Sequence, residues 1–175
     1  MAHRFHQVGA GLLGVLLLST PGGVAAQGVG CVLQPTGAPP RQVIRCGGGL
    51  TIEAAAGADY SLVDGDKDKV PDAASLRGGA LLVDAPPRST KRGFRIDTPQ
   101  AIAAVRGTQW AVDVAAGKTA VFVVTGQVSV RRAAGGRGVS LGAGEGVDVG
   151  PGAAPLEVKR WPAERAAALL ARFGR

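Results

Sequence analysis

The chain has 175 residues, with 20 Lys and Arg against 13 Asp and Glu and a formal charge of +7. That length admits one ordinary domain rather than two, and 28 Gly with 11 Pro stay below the share that marks disorder. The only histidines are His3 and His6 and the only cysteines Cys31 and Cys46, so Ser-His-Asp, Cys-His and the usual zinc chemistries have no ligands or base beyond residue 6.

The N-terminus reads as an export signal. His3, Arg4 and His6 form a short basic head, Val8 to Leu18 an unbroken apolar run, and Val24, Ala25 and Ala26 a stretch of small residues. Spanning a bilayer as a helix takes about 20 apolar residues, and the run is much shorter. Residues 1–26 are therefore assigned to a signal peptide cut after Ala26, which places the protein in the periplasm. A lipid anchor on Cys31 is not expected, because Gly28, Val29 and Gly30 lack the large aliphatic residue such a site needs. In an oxidising compartment Cys31 and Cys46 should pair. With Pro35, Pro39 and Pro40 between them, the disulfide-closed segment 27–49 reads as an irregular clasp.

From Val43 onward, short runs of Val, Ile, Leu and Thr alternate with Gly, Pro and Asp clusters, the pattern of an all-β domain of short antiparallel strands. A sandwich or jelly-roll-like domain is expected over 50–160, with a β-solenoid-like roll as the alternative. Before the best strands lies DGDKDKVPD, where Asp64, Asp66, Asp68 and Asp72 fall at positions 1, 3, 5 and 9 of a calcium loop. Lys69 stands where that loop wants glycine, Ser75 stands where it wants glutamate, and Lys67 and Lys69 offset the charge. The segment is read as a solvated charged turn and no metal or cofactor is assigned.

Alternation then places residues on faces. Phe94, Ile96, Trp110, Val112, Val121, Val123, Val128 and Val130 point to a core, while Arg95, Asp97, Gln109, Asp113, Gln127 and Ser129 point away. Val114, and Leu156 with Val158, continue the inward set. Val121 to Val124 is apolar on both faces, as a covered central strand would be. Glycines at Gly117, Gly126 and Gly142 to Gly146 supply the turns. Arg131, Arg132 and Arg137 cluster without aromatics and read as solvated charge rather than a nucleic-acid site. Over 161–175, Pro162 opens a helix to Phe173 whose stripe of Ala166, Leu169, Leu170 and Phe173 should cap the protein's own sheet.

The stretch FRIDTPQAIAAVRGTQWAVDV, from Phe94 to Val114, resembles the periplasmic domain of the FecR family. An apolar strand, the Thr98-Pro99 step, the run ending Val105-Arg106-Gly107-Thr108 and the alternating strand after it fall in that family's order. LRGGALLV (Leu76 to Val83), TAVFVVTGQVSV (Thr119 to Val130) and LGAGEG (Leu141 to Gly146) extend the likeness, although Gly79 stands where the family often has Glu. The resemblance implies a non-catalytic binding or regulatory module in envelope signal transduction. The segment expected to contact a sigma factor, and its membrane helix, are not evident in the sequence, so a stand-alone periplasmic form is implied. Its partner would be a periplasmic or outer-membrane protein, or an envelope polymer. The alternative function is a structural protein docking on an anionic polymer or membrane surface.

The residues themselves single out one corner. A glycine between two strands marks a bend, so Gly107 leaves Arg106 free to project and lets the Thr108 hydroxyl satisfy a backbone group. Arg106 and Thr108 are accordingly the candidate binding residues. No catalytic residue is assigned.

Overall fold

The structure, a computed structural model, describes residues 30–105 and 107–175. The expected signal peptide and its cleavage after Ala26 lie outside the described residues. Among the described residues, thirteen strands form one sheet that curls until its two halves face each other. The first half is built from β1 (Cys31–Gly37), β2 (Pro40–Cys46), β3 (Thr51–Ala55), part of β5 (Ala73–Ala85), β8 (Thr108–Ala115), β9 (Lys118–Thr125), β12 (Glu145–Val149) and β13 (Lys159–Arg160). The second half holds β4 (Asp59–Val63), the rest of β5, β6 (Phe94–Asp97), β7 (Ala101–Val105), β10 (Gln127–Arg132) and β11 (Val139–Gly142). One helix, α1 (Ala163–Ala171), closes the chain.

β5 belongs to both halves and fixes their relation. Its later residues pair with β3 and β8, and its earlier ones with β4 and β6. β3 and β4 run end to end along one edge of β5, so two long neighbouring strands turn the same corner together. All pairings are antiparallel except β5 with β6. The all-β reading with one short C-terminal helix therefore holds, as a single curled sheet of mostly antiparallel strands. The parallel pairing and the 13-residue length of β5 depart from the sequence reading. Alternation reports which face a side chain takes, not the direction of the strand beside it.

Between the halves lies the main core. All eight residues assigned to it by alternation, Phe94, Ile96, Trp110, Val112, Val121, Val123, Val128 and Val130, are buried, joined by Leu76, Leu81, Val83 and Leu141. Each such side chain contributes about 1.5–3 kcal/mol of transfer free energy. A second cluster sits on the outer face of the first half, where Trp161, Leu169 and Phe173 cover Ala80, Leu82, Ala111 and Phe122. The helix thus caps the protein's own sheet. It is shorter than the expected span from Pro162 to Phe173, because Pro162 stays extended as its cap and Arg172 starts the closing turn. The strand expected around Leu156 and Val158 is also absent. Only Lys159 and Arg160 find partners, on β12, and the residues before them are irregular while Leu156 and Val158 pack half-buried against the core.

Cys31 and Cys46 are disulfide-bonded with Cα atoms 4.2 Å apart. The segment they close is a regular hairpin rather than an irregular clasp, with the two cysteines directly opposite each other. Its prolines stand where a hairpin tolerates them: Pro35 in the edge strand β1, Pro39 in the turn, and Pro40 at the start of β2. The hairpin continues into the sheet through β2 and β3. Breaking the bond by replacing both cysteines with serine should lower stability by about 3 kcal/mol, as a 15-residue loop implies. Far-UV circular dichroism should keep its β signature while thermal melting reports the loss. An unchanged melting temperature would show that the hairpin holds without the bond.

Candidate functional site

The motif residues converge on one end of the sheet, where the chain repeatedly passes from one half to the other. The β5–β6 connection (86–93), the β7–β8 step at Gly107 and the β9–β10 turn at Gly126 all make that crossing. They pack closely on one another. Gly126 has φ +85°, and a Cβ there would lie 2.7 Å from the Gly107 carbonyl oxygen and 2.8 Å from Thr108 Oγ1. Gly107, at φ +73°, meets Pro87 in the same way, 2.9 Å from its Cγ. A larger residue at Gly126 would have to move main chain, and one at Gly107 would have to displace the Pro87 ring.

Thr108 is buried at 3 % exposure. Its hydroxyl donates to the Gln127 carbonyl at 3.0 Å and accepts the Gln127 N–H at 3.3 Å. It satisfies backbone groups freed at the bend, so what it gives the corner is shape. Arg106 lies outside the described residues. The connection at 86–93 adds Arg88, Lys91 and Arg92, all exposed, so this end is rich in cations.

Other motif residues are fasteners too. Thr98 Oγ1 accepts the Ala101 N–H at 2.8 Å and meets the Thr119 hydroxyl at 2.8 Å, tying the β6–β7 turn to β9. Glu145 Oε2 accepts the Gly142 N–H at 2.7 Å, closing the β11–β12 turn. Gly146 gives its missing side chain's space to Trp161, whose ring stacks on Phe122 at 5.0 Å and carries the Arg165 guanidinium 3.6 Å above it.

The aspartate-rich turn between β4 and β5 folds largely onto itself. Asp64 accepts the N–H groups of Asp68 at 3.2 Å and Lys69 at 2.8 Å, and Asp72 accepts that of Gly65 at 2.8 Å. Carboxylate oxygens of Asp64, Asp66 and Asp72 come within 4.8 Å of one another. Asp68 turns away to Lys91 at 3.0 Å. The Val70 N–H and then the Lys91 ammonium hold the Asp68 carboxyl below the usual range, and Lys91 is raised in return, first by Asp68 and then by Asp66. Lys69 takes a left-handed φ of +72° at the position where a calcium loop wants glycine. The part played by Lys91 had no signal in the sequence, since it stands 25 residues from Asp66.

With the geometry in place, residues 35–129, more than half the chain, match the family model described as FecR protein. No curated protein matches the chain. Two crystal structures of a candidate anti-sigma factor from Parabacteroides distasonis share its fold. The 2.50 Å structure aligns with TM-score 0.60 and 19 % identity, over 80 % of this chain and 64 % of that one. The 1.65 Å structure gives 0.56 and 19 %, over 81 % and 62 %. The chain therefore spans about 64 % of the length of the first.

Proposed function

The chain belongs to the FecR protein family, and from that premise we propose that it is a non-catalytic regulatory module of envelope signal transduction, working by binding a partner protein outside the cytoplasm. The observation that carries this reading is the corner at Gly107, Thr108 and Gly126, where three crossings lock together into a rigid support for cationic loops. Binding residues typically sit on loops held by such scaffolds. The disulfide between Cys31 and Cys46 supports an oxidising location. Anti-sigma factors, the description given to the two structural neighbours, belong to the same kind of regulation.

In this reading Arg106 is the contact residue and Thr108 fixes the main chain that presents it. A guanidinium at a bend offers bidentate hydrogen bonds to a carboxylate on the partner. Export by a signal peptide cut after Ala26 completes the picture, so the form recovered from a periplasmic fraction should begin at Gln27 by mass spectrometry. Arg106→Ala should fold normally by circular dichroism and lose about tenfold or more in partner capture from an envelope extract, as removal of a charge-assisted pair implies. A folded variant that captures every partner as the wild type does would exclude Arg106 from the interface.

A further inference from the structure

The outer faces of the two halves are finished differently. That of the first half is roofed by α1, while no described helix covers that of the second. There, one register row crosses four strands, with Arg95 on β6 opposite Ala104 on β7, Ala104 opposite Ser129 on β10, and Ser129 opposite Ser140 on β11. Three strand spacings make this row about 14 Å long. Along it lie two hollows of about 420 and 370 Å³ that meet at Ala104. Together they form an open trough whose row is floored by Ala104, Ser129 and Ser140 and flanked by Val63 and Ile102.

A cation lines each hollow. Arg92 lines one hollow and Arg131 the other, both are exposed, and neither has a carboxylate partner among the described residues. Arg95 is held by Asp97 at 3.0 Å. Two acids line the same hollow as Arg92: Asp66 pairs with Lys91 at 3.1 Å, and Asp72 accepts the Gly65 N–H.

We propose that this trough binds a linear anionic glycan, laid across the strands with its acidic groups on Arg92 and Arg131. The two hollows adjoin at Ala104, so one extended chain can reach both. Its small floor lets sugar rings approach the sheet, and Ser129 and Ser140 offer hydroxyls to theirs. The row itself carries no aromatic side chain on which a nucleic-acid base could stack; Phe94, which lines the first hollow, keeps its ring in the core, while Val63 stands exposed there. Planar guanidinium groups match carboxylate and phosphate oxygens in pairs. The inference is independent of the regulatory reading, because Arg106 is no part of it.

Titration of the folded chain with polygalacturonate by calorimetry, at low and at physiological salt, tests it. Galacturonate monomer and neutral dextran serve as comparison probes. The polymer should bind, more weakly as salt rises, while the monomer and dextran bind far less. The double variant Arg92→Ala with Arg131→Ala should weaken binding about tenfold or more. Ala104→Trp, which fills the exposed floor and leaves the charge unchanged, should weaken it comparably. Arg45→Ala with Lys118→Ala removes the same charge from exposed positions in the first half and should leave affinity within about twofold. Equal losses in the two double variants would reduce the effect to net charge and overturn the site. So would an Ala104→Trp variant of undiminished affinity, or binding to phosphatidylglycerol vesicles with none to polygalacturonate.

Discussion

Trp110→Ala should lower the free energy of unfolding by about 3–5 kcal/mol, the range for truncating a buried large aromatic. The ring is fully buried on β8, with Val83 of β5 opposite it on one side and Val123 of β9 on the other. It faces the second half across the core, so no neighbour on a single strand can close the space it leaves. Domains of this size are stable by about 5–15 kcal/mol in total, and the variant should therefore melt far earlier in urea at unchanged slope. The indole N–H has no hydrogen-bond partner among the described residues, and an unpaired buried donor is costly by about 1–3 kcal/mol. Trp110→Phe removes that donor while keeping most of the ring, so its loss should be much smaller than that of alanine. An alanine variant within about 1 kcal/mol of wild type would mean that the ring does not join the two halves.

The facing of side chains was legible in the sequence, because period-2 alternation is a local property of each strand. Phe94 with Ile96, Trp110 with Val112, and Val128 with Val130 all fall inward as read. Strand neighbours are a different matter. The parallel β5–β6 pair leaves no local trace, since the same alternation serves either direction. Leu156 to Lys159 shows the converse: four alternating residues read as a strand, yet the chain finds a partner only from Lys159.

The candidate site divides in the same way. Gly107 and Thr108 read as a bend with a hydroxyl fastening it, and the structure gives that fastening its partner in Gln127. What the bend packs against, Gly126 and Pro87, was not readable, because those contacts join residues about 20 positions apart in the chain. The Lys91 bridge to Asp66 and Asp68 and the row that forms the trough are equally products of long-range register. In the sequence, Gly79 stood out only as a departure from the family's usual glutamate.

That departure is where the second large effect is expected. Gly79 sits where β5 leaves the second half for the first, with φ +78°, and a Cβ there would lie 2.7 Å from the Ala58 Cα. Gly79→Ala therefore meets two penalties. Holding an L-residue in the left-handed region costs about 1–2 kcal/mol, and forcing an extra carbon into close-packed surroundings adds about 1–3 kcal/mol. The obstructing atom is main chain of the neighbouring β3–β4 run, which bends at the same corner and cannot swing aside as a side chain would. A loss of about 2–5 kcal/mol should result. Gly117, in the β8–β9 turn, has a similar φ of +71°, but a methyl group placed there would meet nothing within 4 Å, so Gly117→Ala should suffer the first penalty alone. Urea melts of the two variants side by side separate the terms, and the excess for Gly79 measures how closely the two strands approach as they turn. Should Gly79→Ala prove no worse than Gly117→Ala, the corner must be looser than this packing requires, and the angle between the halves would have to be set elsewhere.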